Sequence, residues 1–277
     1  MAVRKLKPVT PGQRHKIIGA FDSITASTPE KSLLEPLKKS GGRNNQGRIT
    51  VRHRGGGQKR FIRKISFAVR DGLKATVEAI EYDPNRSAHI ARLKTEEGTY
   101  MYTIATAGLK VGQKIEASAE AQIEPGNIMP LSAIPLGTVI NNIELKPGAG
   151  AQLARSAGAS AQLVAKDEKY AQIKLPSSEV RIIDVRCRAT IGSVGNEQHQ
   201  NVKIGSAGRK RRMGRRPQVR GLAMNAVDHA HGGGDGGSSR IGKDPRTPWG
   251  KPTLGYKTRR RKSTDKYIIK SRHENKR

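Results

Sequence analysis

The chain has 277 residues and carries 53 lysines and arginines against 23 aspartates and glutamates, a formal net charge of +30. Only 34% of its residues are hydrophobic and 4% aromatic, below the usual apolar share of about 45–50%, so one core cannot organise the whole length. The sequence has no apolar run of about 18 residues and its start lacks the apolar segment of a secretory signal, so we expect neither a membrane span nor export, and a cytoplasmic location.

The charge is concentrated in the two ends of the chain. Residues 1–64 hold 16 basic and 3 acidic residues, residues 65–202 hold 15 of each, and residues 203–277 hold 22 and 5. The neutral middle can fold by ordinary burial. The basic ends repel themselves and cannot offset their own ordering entropy, so we expect them to need a polyanion.

Helix signals are few. The best is residues 28–34, where Thr28 can act as N-cap, Pro29 stands at the first helical position and Glu30 follows. This pattern predicts one short helix near the N-terminus.

Three segments mix arginine and lysine with glycine: residues 41–48, 52–60 and 208–216. Glycine lets a backbone run close to phosphates, and the guanidinium fork pairs with phosphate through two hydrogen bonds. Nucleic acid is therefore the expected partner. A membrane surface is the competing polyanion, but neither end shows a basic amphipathic helix with an apolar opposite face.

The neutral middle reads as a series of short strands with a period of two. Runs of five to eight residues end at turn sequences such as 83–85 and 96–98, and a second set follows Pro125 and Gly126. The second set comprises residues 138–145, 161–166, 170–175, 179–185 and 189–194. Without helical patterns between the strands, the sequence predicts two small all-β barrels that meet near residues 122–127.

Two features that lie between the predicted strands of the second set have alternative interpretations. Residues 148–160 are rich in small side chains and contain Arg155, so they form either a flexible linker or a tightly packed backbone with one guanidinium as anchor. Cys187 is the only cysteine and cannot form an internal disulfide or a multi-thiolate site. We expect a buried strand residue there, not a nucleophile.

Asp228, His229 and His231 lie beside a glycine triplet and form the one constellation that could belong to an enzyme. An acid and imidazoles can make a general-base pair or a metal site. A glycine loop, however, lacks the packed support that orients metal-binding imidazoles and holds a base at about 3 Å from its proton. We expect these side chains to hydrogen-bond or stack on RNA, with no metal, no cofactor and no catalytic residue.

Three other rings are singled out by their surroundings. His89 falls in a strand pattern and is expected to be packed, whereas His53 lies in a basic loop and is expected to face RNA. Trp249 is the only tryptophan and has few apolar neighbours in sequence. It either packs within the basic extension, which we favour, or stacks on a base or under an arginine.

The stretch from Gly208 to Gly234, followed by Thr247 to Gly250, closely resembles the bacterial form of the universal large-subunit ribosomal protein L-two family. Further matching segments are residues 52–57, 82–86, 131–137 and 151–158. The chain departs from the family at Ala230, where a proline usually separates the two histidines, and over Asp235 to Arg246.

The resemblance implies an OB-like barrel followed by an SH3-like barrel, with basic extensions threaded into large-subunit rRNA. It divides the chain into an N-terminal extension (1–40), the OB-like barrel (41–124), the SH3-like barrel (125–200) and a C-terminal extension (201–277). The implied role is structural, near the peptidyl-transferase region and at an intersubunit bridge with small-subunit rRNA. Other ribosomal proteins are expected partners, and no homo-oligomer is indicated.

The expected site residues follow from charge and from the resemblance, which associates Arg86 and Arg155 with rRNA. The predicted rRNA-binding residues are Arg43, Arg48, Arg52, Arg54, Lys59, Arg60, Arg86, Arg155, Arg209, Lys210, Arg211, Arg212, Arg215, Arg216 and Arg220. The predicted peptidyl-transferase-region loop is Asp228, His229 and His231. Two alternatives stay open: a basic RNA-processing hydrolase that uses this loop, and a chromatin-type DNA-binding protein.

Overall fold

The computed structural model describes residues 3–235 and 244–274. The chain forms two compact units, each built from segments that are distant in sequence. Unit 1 comprises residues 1–38, 59–206 and 265–277, and unit 2 comprises residues 39–58 and 207–264. Part of the departure noted over Asp235 to Arg246, residues 236–243, lies outside the described residues. The four-part division made from the sequence stays a prediction.

All the strands in the described ranges belong to unit 1. They are β1 (Val3–Lys5), β2 (Ile17–Gly19), β3 (Leu34–Pro36), β4 (Phe61–Arg63), β5 (Leu73–Glu81), β6 (Ile90–Thr95), β7 (Tyr100–Ile104), β8 (Lys114–Ala117), β9 (Ile128–Pro130), β10 (Val139–Asn141), β11 (Ile143–Glu144), β12 (Ala151–Leu153), β13 (Ala161–Lys166), β14 (Tyr170–Lys174), β15 (Val180–Asp184), β16 (Arg188–Ile191) and β17 (Ile268–Lys270).

Within residues 3–235 and 244–274, helical structure is confined to short pieces. Helix α1 (Ala207–Arg212) opens the second segment of unit 2. Short 3-10 helices cover Lys31–Leu33, Glu197–Asn201, Gly221–Ala223 and Asp265–Tyr267. Within the described part of the chain, no helix is long and apolar enough to cross a membrane.

The main sheet has eleven strands in the order β17-β15-β14-β13-β10-β16-β9-β8-β5-β6-β7. Its neighbours are antiparallel except β8 and β9, which pair in parallel at Ala117 and Ile128. Strands β5–β8 form the first barrel around a core from Ala75 to Ile115, and β9–β16 form the second around a core from Ala121 to Ile191. The predicted all-β fold is confirmed.

Alternation along the strands explains why these residues form a sheet. In β5, Ala75, Val77 and Ala79 are buried, whereas the side chains between them are exposed. Because successive side chains of a strand point to opposite faces, this pattern places one face on the barrel core and the other in water.

The helix predicted over residues 28–34 is wrong. Only a three-residue 3-10 turn forms, and the Glu30 side chain caps it by accepting a hydrogen bond from the Ser32 amide. Strand β3 begins immediately afterwards, because Leu34–Pro36 pairs with β4, Phe61–Arg63. Tertiary pairing therefore overrides the local capping signal.

Neither basic end of the chain is simply an extension. Thr25 exchanges hydrogen bonds with Ile80 in β5, and the Glu30 amide donates to the Tyr102 hydroxyl in β7 at 2.8 Å. At the other end, β17 adds to the sheet beside β15. These segments thus form hydrogen bonds with the neutral middle, which the charge distribution alone does not predict.

Candidate nucleic-acid interface

Two predicted arginines meet over one aromatic ring in unit 1. The Arg155 guanidinium carbon lies 4.6 Å from the centroid of Phe67, and that of Arg86 lies 5.9 Å from it. Phe67 packs against a small cluster in which Ala88 and Ile104 belong to the first barrel and Val194 follows the last strand of the second. The two guanidiniums therefore lie where the barrels join.

Arg86 is fixed by a carboxylate that is itself buried. Asp83 has no exposed surface, and its Oδ2 accepts a hydrogen bond from Arg86 Nε at 2.6 Å. The other oxygen, Oδ1, accepts from the Asn85 amide at 2.8 Å, which forms the turn after β5. A charge-assisted hydrogen bond of this kind orients the guanidinium while leaving its other N–H groups available.

The small-residue stretch that carries Arg155 is packed backbone, not a flexible linker. The Ala151 amide donates to the Phe67 carbonyl at 3.0 Å, and Arg155 Nη1 donates to the Ala151 carbonyl at 3.1 Å. Ala154, just before the arginine, has a φ of 50°, an uncommon conformation for a residue other than glycine. Such an outlier persists only where its surroundings determine it.

A buried glutamate holds this stretch in place. Glu144 is 3% exposed, and its carboxylate accepts hydrogen bonds from the amides of Gly148, Gly150 and Arg188 at 3.0–3.2 Å. Gly150 lies against the backbone of Phe67 and Ala68, so an added Cβ would come within 3.3 Å of it. The carboxylate therefore holds residues 148–150 against the backbone of Phe67 and Ala68, and the position of Arg155 depends on this contact.

In unit 2 two basic segments lie side by side. Arg54 and Arg215 form an antiparallel bridge, and the Gln58 amide donates to the Arg212 carbonyl at 2.9 Å. Gly57, with a φ of 84°, makes the approach possible, because a Cβ there would come within 2.9 Å of Gly214. The glycines between the basic residues thus bring one chain segment against another.

The structure divides the predicted rRNA-binding residues between the two units. Unit 1 holds Lys59, Arg60, Arg86 and Arg155, and unit 2 holds Arg43, Arg48, Arg52, Arg54, Arg209, Lys210, Arg211, Arg212, Arg215, Arg216 and Arg220. Most of these side chains are exposed, including all four basic residues of α1. Exposed guanidinium and ammonium groups at this density are typical of a surface that binds a polyanion.

The histidine loop of unit 2 is better supported than the sequence predicts. The rings of His229 and His231 stack at 5.3 Å, and His229 Nδ1 accepts a hydrogen bond from the His231 amide at 3.0 Å. His231 Nε2 accepts from the Arg246 amide at 2.7 Å, and the Gly233 amide donates to the Met224 carbonyl. One nitrogen of each imidazole therefore accepts a hydrogen bond from a backbone amide.

The same loop offers little as a metal centre. In residues 3–235 and 244–274, no group of three or more His, Cys, Asp or Glu side chains is arranged to hold a metal ion. Asp228 is exposed, and hydrogen bonds from backbone amides occupy a nitrogen of each histidine.

Of the other side chains that the sequence analysis singled out, His89 and Cys187 are buried and Trp249 is exposed. His89 is buried, as predicted, and burial lowers its pKa. Cys187 is also buried, although it lies at a bend before β16 and not in a strand, and burial raises its pKa to about 12, which disfavours the thiolate nucleophile. Trp249 is 73% exposed with the Arg52 guanidinium 5.6 Å from its ring, so the favoured packing role is wrong.

Three residues of the site were missed from the sequence: Phe67, Asp83 and Glu144. Asp83 had a signal, because an aspartate two residues before Asn85 and next to Pro84 is typical of a turn in which the side chain caps the backbone. Phe67 and Glu144 act through partners from distant segments, which no local pattern reveals.

Two all-β barrels with one exposed and one half-buried arginine fixed at their junction define a nucleic-acid-binding protein. Residues 30–117 match the family model described as ribosomal proteins L2, RNA binding N-terminal domain, and residues 124–250 match ribosomal proteins L2, C-terminal domain. These matches cover well over half of the chain, which belongs to the ribosomal protein L2 family. The predicted family, and with it an OB-like followed by an SH3-like barrel, is confirmed.

Proposed function

We propose that this chain is a primary rRNA-binding protein of the large ribosomal subunit, and that Arg86 and Arg155 are its anchoring contacts. The observation that supports this most directly is their convergence on Phe67 at the junction of the barrels. Guanidiniums held by a buried carboxylate and by an aromatic face are preorganised for phosphate or base recognition.

The basic segments of unit 2 supply the remaining phosphate contacts in this proposal. In it, the loop of Asp228, His229 and His231 lies near the peptidyl-transferase region, and the protein supports subunit assembly and an intersubunit bridge with small-subunit rRNA in a cytoplasmic ribosome. The hydrolase alternative is not favoured, because the loop commits an imidazole nitrogen of each histidine to backbone hydrogen bonds.

Competition binding tests the proposal. The full chain is titrated with large-subunit rRNA, small-subunit rRNA and duplex DNA at several salt concentrations. We expect large-subunit rRNA to bind at least tenfold tighter than duplex DNA, with a slope of log affinity against log salt steeper than roughly −5, since each neutralised phosphate contributes about −0.7 to −0.9. Equal affinity for duplex DNA would favour the chromatin-type alternative.

A further inference from the structure

Unit 2 contains a concavity of about 320 Å³ whose wall combines two kinds of side chain. Four arginines line it, two from each of the chain segments 39–58 and 207–264 that form unit 2: Arg43, Arg54, Arg211 and Arg216. Ile49 and Val51 also line it, and these aliphatic side chains are 58% and 50% exposed. Because positive charge and exposed apolar surface occur together in one small concavity, a fitting ligand has both an anionic group and an apolar face.

The wall is fixed by hydrogen bonds within unit 2. The Gly42 carbonyl accepts from the amides of Thr50 and Val51 at 2.9 and 3.1 Å, which holds the aliphatic pair. Elsewhere in the lining, His53 Nδ1 donates to the Pro217 carbonyl at 2.9 Å, and the Arg216 amide donates to the His53 carbonyl at 3.0 Å. His53 has a φ of 58°, uncommon outside glycine, so the turn is closely determined.

The ligand chemistry follows from this wall. Among the described residues, none that lines the concavity is acidic, so its guanidiniums select an anion and suit phosphate oxygens. A phosphate alone would leave Ile49 and Val51 in water, whereas the face of a nucleobase would cover them. The volume lies at the lower end of the about 300–1,000 Å³ typical of small-ligand sites, a size for one nucleotide and not for a helix.

We propose that this concavity binds one unpaired nucleotide of an RNA strand, with its phosphate against the arginines and its base against Ile49 and Val51. A base inside a helix has both faces stacked and cannot offer one to a protein wall, so the site distinguishes single-stranded from duplex RNA. This inference rests on the proposed function, that the chain binds rRNA, and names the form of RNA that unit 2 recognises.

Photocrosslinking on the unmodified full chain locates the contact. The probe is a single-stranded RNA of roughly 12 nucleotides that carries one 4-thiouridine, compared with the same strand in a blunt duplex. We expect mass spectrometry to find crosslinks within residues 41–54 for the single strand and not for the duplex. Crosslinks there from both forms, or only outside unit 2, would overturn the inference.

Binding of variants separates the base contact from the phosphate contact. Replacing Ile49 and Val51 by serine should weaken binding of the single strand about fivefold, about 1 kcal/mol, and leave duplex binding within about twofold. The matched control is Ile123→Ser, which removes an aliphatic side chain of similar exposure, 53%, from unit 1 and should change neither. An equal loss for both RNA forms, or no loss, contradicts the proposed base contact.

Charge variants complete the test. Replacing Arg43 and Arg216 by alanine should weaken both RNA forms and make the salt slope for the single strand less steep by about 0.7, the contribution of the one phosphate that the site neutralises. Loss of rRNA binding by the parent chain itself would refute the proposed function. Retained rRNA binding without the selective effect of the serine variant refutes only this site.

Discussion

The guanidinium of Arg155 lies 4.6 Å from the centre of the Phe67 ring. The arginine belongs to the second barrel, and the phenylalanine precedes the first strand of the first barrel and packs at their junction. A cation–π contact of this kind contributes about 0.5–2 kcal/mol, depending on its exposure. The position of a predicted RNA-binding residue is therefore set by a contact between the two barrels as well as by its local hydrogen bond to the Ala151 carbonyl.

Arg155→Ala and Arg86→Ala should each weaken binding of large-subunit rRNA by about 1–3 kcal/mol, because each removes a charge-assisted hydrogen-bond donor from a partly desolvated interface. The matched control is Arg186→Ala, in the same unit, whose guanidinium is 77% exposed and pairs with Asp184. It should leave the affinity nearly unchanged, as expected of an exposed ion pair. Filter-binding titrations of the full chain measure all three, and equal effects would contradict an anchoring role for the junction.

Glu144→Gln tests how Arg155 is held. The neutral amide cannot accept all three backbone hydrogen bonds that the carboxylate receives, so we expect the free energy of unfolding to fall by about 2 kcal/mol. If Glu144 acts on binding through Arg155, its effect on rRNA affinity should vanish when Arg155 is already alanine. Urea unfolding and a double-mutant binding cycle give the two results, and additive binding losses would exclude the positioning role.

The local alternation of side chains was sufficient to predict the position of many strands of the main sheet. The run predicted at residues 161–166 is β13, and the one at 170–175 is β14 to within one residue, because alternating side chains with turns at both ends determine a strand locally. The same reasoning failed at residues 28–34, where the competing interaction is pairing with β4, which lies far along the chain. It also missed β17, which is stabilised by the edge of β15.

The candidate site shows the same limit. Charge and family resemblance singled out Arg86 and Arg155, but nothing in the sequence indicated that both reach one ring. Arg86 and Arg155 come from separate segments of the chain and both contact the Phe67 ring. The role of Phe67 in holding them is therefore visible only in the folded structure. The distribution of the basic residues between two units likewise depends on pairing between segments 53–58 and 212–217.

The N-terminal segment should stay bound to the barrel after the chain is cut. Without RNA, we expect proteases to cleave first in unit 2, whose two segments contain no extended strands within the described ranges. Residues 1–38 should then co-elute with the remainder of unit 1 in size-exclusion chromatography, because Thr25 and Glu30 form hydrogen bonds with β5 and β7. Separation of the fragments under native conditions would contradict this.

Tyr102→Phe should loosen that attachment. The Tyr102 hydroxyl donates to buried Glu81 at 2.7 Å and accepts from the Glu30 amide, so its removal leaves two polar groups without this partner. We expect a loss of about 1–3 kcal/mol in the free energy of unfolding, and earlier release of the N-terminal fragment as urea is added to the cut protein. An unchanged release midpoint would show that the hydroxyl does not hold the segment.

His89 should make the fold sensitive to mild acid. Burial lowers the pKa of His89, so the folded chain resists a proton that the unfolded chain accepts below about pH 6.5. Because the unfolded state then binds more protons, the free energy of unfolding falls as the pH decreases from about 6.5 towards the folded-state pKa. His89→Leu should reduce this dependence in urea unfolding at several pH values, and an identical pH profile would contradict the assignment.

His229→Gln distinguishes a structural role of the histidine loop from a catalytic one. His229 Nδ1 accepts a hydrogen bond from the His231 amide, and its ring lies directly on Gly221, where a Cβ would meet it at 2.5 Å. Glutamine is similar in size and offers an amide oxygen as acceptor, so His229→Gln can keep this hydrogen bond while removing proton transfer. If the imidazole acts as a general base, the chemical step should fall by about 10²–10⁴-fold.

We expect the scaffold result: particles reconstituted with His229→Gln should form peptide bonds at close to the parent rate once assembled. The physical reason is that the Nδ1 nitrogen of this imidazole shapes the loop, and the surrounding arginines are suited to holding RNA, which can itself be the catalyst. Sedimentation measures assembly separately from peptide-bond formation. Fully assembled particles with a hundredfold slower chemical step would establish a chemical role for His229, whereas poor assembly with normal chemistry per particle supports the scaffold.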